Sequence, residues 1–119
     1  MRDFRGLRVW EELHKLTLGI YKMTKYFPKE EMFSLTNQIR RAAVSVPSNI
    51  AEGCGRETQK DYAHFLQMAL GSASEVDYQL LLAKDLNYLK NNQYLELNDK
   101  IDKIKRQLAN LIKKVRASS

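Results

Sequence analysis

The sequence predicts an all-α protein, an antiparallel up-down four-helix bundle with a proline-kinked second helix. Three observations predict it. Apolar residues recur at steps of three and four along nearly the whole chain, glycine and proline number only five and two in 119 residues, and the turn signals are brief. Hydrophobic residues make up 44% of the chain and charged residues 29%, a balance that suits a folded helical protein better than a disordered one. The length suits one domain, residues 1–119, around one core.

The first helix is carried by Leu7, Trp10, Leu13, Leu16 and Ile20, with Val9, Tyr21 and Phe27 beside them. Pro28 closes it, because a proline pushes the residue before it out of helical geometry. A second helix is expected to begin near Pro28, with Glu30 and Glu31 at its positive end. Its apolar stripe runs through Ile39, Ala42 or Ala43, Val46 and Ile50, and passes Pro47 without losing phase, so one kinked helix is expected. Pro47 removes the hydrogen bond to the Ala43 carbonyl, at a cost of about 3 kcal/mol. The Ser45 and Ser48 hydroxyls are the sequence's candidates to serve the disturbed backbone. Gly53-Cys54-Gly55 is expected to end the helix in left-handed conformations.

Thr58 is expected to cap the third helix with Asp61 reaching back, a short-armed capping box. Tyr62, Phe65, Leu66, Ala69, Ala73, Val76, Leu80 and Ala83 supply its buried face, and Asn87 ends it in the left-handed position. Asn91 and Asn92 mark the next turn. Tyr94, Leu97, Ile101, Ile104, Leu108, Leu111 and Val115 then alternate steps of three and four, the pattern of a helix packing along a long neighbour.

The segment QIRRAAVSVPSNIAEGCGR, residues 38–56, also carries a polar strip of Arg41, Ser45, Ser48 or Asn49, and Glu52 at helical steps. The third helix offers a counterpart in Gln67, Gly71, Ser74 and Glu75. Small residues on both helices predict a close approach, with a structural polar network pairing Arg40 or Arg41 to Glu52 or Glu75.

These motifs carry a resemblance. LRVWEELHKL with IYKMTKYFP, then QIRRAAVSVPSNIAEGCGR, then FLQMALGSASEVDYQLLLAKDLNYL cover most of the chain. In that order they resemble the 23S rRNA-intervening sequence proteins, bacterial four-helix bundles related to the accessory protein of diversity-generating retroelements. Asn87 stands where such proteins often have glycine, a change that still permits the helix end. The resemblance implies a ring-shaped homo-oligomer, commonly a pentamer, with a basic surface suited to nucleic acid. It brings no catalytic site.

The net charge of +6 agrees with a polyanion as partner. Residues 90–119 hold eight Lys/Arg against three acids. Arg8, Lys15 and Lys22 recur every seven residues on the first helix, and Lys103, Arg106 and Lys113 fall near one face of the last. These six are the candidate phosphate-binding residues, although such stripes are also the ordinary solvated side of an amphipathic helix. Tyr26, Tyr88 and Tyr94, near helix ends, are candidates either to stack on unpaired bases or to pack on a neighbouring helix.

Other chemistry is thin. The single cysteine, Cys54, and His64 lack an orienting third group, and His14 and His64 lie too far apart in sequence for a metal-site pattern. No catalytic residue, metal ligand or cofactor is predicted. A lone cysteine agrees with a reducing compartment, and with no apolar run of membrane-spanning length or secretory-signal pattern the expected location is the cytoplasm. The function expected is non-enzymatic: a homo-oligomer binding RNA or DNA through phosphates. The alternative is a structural or adaptor module that binds a protein, such as a reverse transcriptase.

Overall fold

In the computed structural model, which describes residues 2–119, Leu7 hands the chain from a short 3-10 turn (Phe4–Gly6) into the first long helix. Helix α1 spans Arg8–Thr24, α2 Leu35–Cys54, α3 Gln59–Asp85 and α4 Asn91–Ala117. No strand occurs among the described residues. Cross-links fix the directions: Thr17 meets Ala43 and Tyr21 meets Arg40, Ser45 meets Ser72, and Lys84 meets Tyr94 while Asp77 meets Lys105. Each helix therefore runs antiparallel to the one before it, and the apolar stripes of all four meet in one core that includes Ile20, Ile39, Leu66, Leu80, Ile101 and Leu108.

The termini of α2 differ from expectation. Pro28 starts a separate 3-10 turn, Lys29–Glu31, and α2 begins only at Leu35. Glu31 still serves the helix start, accepting from the Leu35 N–H at 3.4 Å. At the other end neither Gly53 nor Gly55 is left-handed, and Gly55 has φ −83°. Glycine at position 53 answers to space: a Cβ there would stand 2.8 Å from the Phe65 Cβ and 3.2 Å from Tyr62 Cδ1. The missing side chain lets α2 and α3 approach, and these two share the most extensive contact of any helix pair.

Pro47 lies inside a continuous α2, as its unbroken stripe predicts. The carbonyl it deprives, Ala43, is served from the neighbouring helix by the Thr17 hydroxyl at 3.3 Å, which also reaches the Leu13 carbonyl at 2.8 Å. Neither serine fills that role. Ser45 bonds Ser72 across the α2–α3 contact at 2.9 Å and Asn49 within α2, and Ser48 is exposed. Thr17→Val keeps the shape but removes the shared proton, so it should lower the unfolding free energy by about 1–3 kcal/mol, whereas Thr17→Ser should lose less. Urea midpoints check this; a Thr17→Val midpoint equal to that of wild type would show that the hydroxyl contributes nothing there.

Thr58 caps α3 by accepting from the Asp61 N–H at 3.1 Å. Asn87, at φ 64°, makes the left-handed turn after α3, and the Tyr88 N–H returns to the Ala83 carbonyl at 2.9 Å. Asn91 and Asn92 are the first residues of α4, not the preceding turn, because Gln93 accepts from the Lys90 N–H and fixes the start there. Along α4 the buried positions are Ile101, Ile104, Leu108, Ile112 and Val115, with Leu111 only half-buried. Ile101, Leu108 and Val115 keep the seven-residue spacing, and between them the one departure from the expected seam is Ile112 in place of Leu111.

The α1–α2 and α3–α4 connections are tied together at one end of the bundle. The Tyr88 hydroxyl donates to Glu31 Oε2 at 2.7 Å, and Phe27 packs on the Tyr88 ring at 5.4 Å between centroids. This bond holds the Glu31 carboxyl below its ordinary 4.5 and pushes Tyr88 above its ordinary 10.0. A carboxylate depressed by folding contributes stability above its unfolded value and loses it as pH falls through the lower, folded one; a raised tyrosine loses its contribution as pH climbs through the raised value. The Tyr88→Phe protein should therefore be less stable than wild type at pH 7, with the gap closing as pH drops below the Glu31 titration. Melting temperatures at a series of pH values measure it, and a gap that stays constant into acid would mean the bond does not involve the ionised carboxylate.

Candidate nucleic-acid interface

Helices α1 and α4 pair less closely than α1–α2, α2–α3 or α3–α4, and an open groove runs along their seam. One stretch, of about 340 Å³, has an apolar floor of Leu16, Gly19, Leu97 and Ile104 and a rim carrying Lys15, Lys100, Lys103 and Glu12. The next, wider stretch, about 1030 Å³, shares Gly19 and adds Lys22, Met23, Tyr26, Lys90 and the turn into α4. The local cause is helical spacing. Lys15 and Lys22 stand two turns apart on α1, while Lys100 and Lys103 stand one turn apart on α4, flanking its buried face.

Of the six basic residues predicted, the fold brings Lys15, Lys22 and Lys103 to this groove. Arg106 and Lys113 are exposed on α4 without lining it, and Arg8 extends into solvent, paired with Glu12 at 3.3 Å. Lys90 and Lys100 join the groove although they belong to neither predicted stripe. Lys100 had a signal in the sequence, since it lies three residues after Leu97 and four before Ile104, on the edge of the apolar seam.

Acids temper the rim. Lys15 pairs with Glu11 at 3.5 Å, Lys100 with Glu96 at 3.3 Å and Lys103 with Asp99 at 3.1 Å, all spaced four residues apart on exposed helix faces. Such pairs contribute only about 0.3–0.5 kcal/mol each and weaken with salt, so they do not withhold these lysines from a polyanion. Beyond Asp102 the chain has no acid, and Lys103, Lys105, Arg106, Lys113, Lys114 and Arg116 follow. Lys105 is turned away to Asp77 on α3 at 3.1 Å, and Arg116 reaches Gln67 at 3.5 Å.

The three tyrosines have different surroundings. Tyr88 is held by Glu31 and Phe27, and Lys84 lies over the Tyr94 ring at 5.0 Å. Tyr26 is 88% exposed at the mouth of the groove.

The pairing expected between Arg40 or Arg41 and Glu52 or Glu75 does not form. Arg40 turns to α1, donating to Thr24 Oγ1 at 2.8 Å and to the Tyr21 carbonyl at 3.3 Å, with its guanidinium over the Tyr21 ring. Glu52 pairs locally with Arg56 at 3.0 Å. Arg41 and Glu75 line one shallow groove between α2 and α3, with no ion pair joining them among the described residues. The close approach of the two helices is supplied by Gly53 and by the Ser45–Ser72 bond, while Gly71 and Ser74 are exposed.

Cys54 is buried, 1% exposed, and burial pushes its thiol above the ordinary value, opposed in part by a hydrogen bond from Tyr62. Burial, with the neighbouring thiol, raises Tyr62 to about 12. A protonated, enclosed thiol is the opposite of an activated nucleophile. His14 stacks on Trp10 at 5.2 Å and His64 meets Phe65 edge-on at 5.9 Å. Among the described residues no group of three or more His, Cys, Asp or Glu is placed to hold a metal ion, and no helix is long and apolar enough to cross a membrane.

An all-α chain whose four helices run up and down around one core, with a lysine-rimmed seam between the first and last, defines a four-helix-bundle protein. The chain belongs to the 23S rRNA-intervening sequence protein family, whose model matches residues 5–110. Its fold is similar to the crystal structure of a protein of unknown function from the S23 ribosomal protein family of Bacteroides thetaiotaomicron VPI-5482. The TM-score is 0.82 and the identity 27%, over 88% of this chain and 95% of that one. No curated protein matches this chain.

Proposed function

We propose that the protein is a non-enzymatic homo-oligomer that binds nucleic acid through its phosphates, with the α1–α4 seam as the contact surface. The observation that carries this reading is the convergence of lysines from both helices on one open groove, in a chain of net charge +6. Phosphate attraction of this kind reads little sequence, which fits a rim of flexible lysines without a fixed array of hydrogen-bonding groups. Self-assembly is supported by large apolar side chains left exposed outside the groove, among them Met68 and Leu81 on α3 and Leu18 on α1. A ring of five is the stoichiometry that the family resemblance favours, and symmetry would repeat each basic seam around it.

The test is fluorescence anisotropy of labelled single-stranded RNA, hairpin RNA and duplex DNA over a salt series, on protein whose mass has been fixed by light scattering. The expected result is five chain masses and binding that weakens steeply with salt, with a log–log slope of about −0.9 per neutralised phosphate on duplex DNA. Absence of binding at low salt would overturn the nucleic-acid reading in favour of an adaptor that docks another protein. A monomeric mass would overturn the assembly.

A further inference from the structure

We infer that the preferred ligand of the α1–α4 groove is a single strand, with an unpaired base stacked on Tyr26. The inference rests on the nucleic-acid reading above and names its ligand class.

Two features of the groove separate single strands from duplexes. Its floor is apolar, built from Leu16, Leu97 and Ile104, with the charges confined to the rim. A duplex turns its phosphates outward and keeps its bases paired, so it can use the rim but offers nothing to the floor. A single strand can lay its backbone along the lysines and turn its bases inward. The second feature is Tyr26, which lies where the groove widens beside Lys22 and Lys90 and keeps most of its ring in solvent. The ring is not engaged by any aromatic or cationic side chain among the described residues, in contrast to Tyr88 and Tyr94. A basic groove that tracks a backbone, joined to an exposed ring on which a base can stack, is the general physical arrangement for holding single strands without sequence preference.

The experiment compares wild type, Tyr26→Ala, Tyr26→Phe and Tyr78→Ala on labelled oligouridine and on a duplex RNA of equal phosphate count. Tyr78 is also exposed, at 62%, but sits on α3 away from the groove, so it controls for the loss of any surface ring. Loss of one stacked base should weaken oligouridine binding roughly 5- to 150-fold in Tyr26→Ala. The duplex affinity should be unchanged, Tyr26→Phe should bind like wild type, and so should Tyr78→Ala. Photocrosslinking of 5-iodouracil-substituted RNA should place the adduct on Tyr26. Equal losses on both ligands, no loss on oligouridine, or an equal loss in Tyr78→Ala would overturn the assignment while leaving phosphate binding intact. Failure of the wild type to bind either RNA would remove the parent reading and this one with it.

Discussion

Replacing Gly53 by valine is expected to lower the unfolding free energy by roughly 2–3 kcal/mol, because the site has no room for a side chain. The obstruction is the Phe65 Cβ at 2.8 Å, next to its own backbone and unable to swing aside as a chain end could, with the Tyr62 ring 3.2 Å away on the same helix. Relief requires α3 to move as a body. That movement would strain the Ser45–Ser72 bond and loosen the burial of Cys54 and Tyr62. Gly71 provides the contrast, since it is helical, exposed and has nothing within 4 Å of an added Cβ. Gly71→Ala should raise stability by about 0.5–1 kcal/mol through helix propensity alone. Urea unfolding of both variants with unchanged m-values reads the opposite signs. A Gly53→Val midpoint within error of wild type would mean that the two helices separate at little cost.

The same contact shows how far a sequence can be read. Helix phase was legible because it is written locally: most of the apolar stripe of α1, α2 and α3 is buried where the three- and four-residue steps place it, although Tyr21 is exposed and Trp10 and Phe65 are only half-buried. Thr58 and Asn87 were legible because their roles need only their own neighbours. What failed depends on which residues face each other across helices. Gly53 carries the usual marks of a helix-ending glycine, and only the position of Phe65 shows that it serves packing instead. Ser45 and Ser48 were plausible partners for the Ala43 carbonyl on distance along the chain, but Thr17 lies opposite it. Arg40 was matched to acids by charge, while the nearest acceptors proved to be a threonine hydroxyl and a backbone carbonyl on α1. The candidate interface divides in the same way. Each basic stripe was visible by itself, but the groove between them, and the inclusion of Lys90 and Lys100, follow from the antiparallel register of α1 and α4.

Reversing two lysines of that groove, Lys22→Glu with Lys103→Glu, should weaken nucleic-acid binding roughly 60-fold at about 0.1 M salt. Each phosphate contact on duplex DNA is worth about 0.9 of a decade in affinity per decade of salt, so two lost contacts account for nearly two decades between about 1 M and 0.1 M. The salt slope should become shallower by about 1.8. Both side chains are exposed, and among the described residues the only ion pair broken is Lys103–Asp99, so stability should change little. The decisive comparison is Arg41→Glu with Lys60→Glu, which changes net charge equally from exposed positions on α2 and α3. If the groove is the contact surface, this second pair should lose only the few-fold expected from a less positive protein. Equal losses in the two pairs would mean that the protein attracts nucleic acid through its overall charge, and the α1–α4 seam would then be a solvated face with no privileged role.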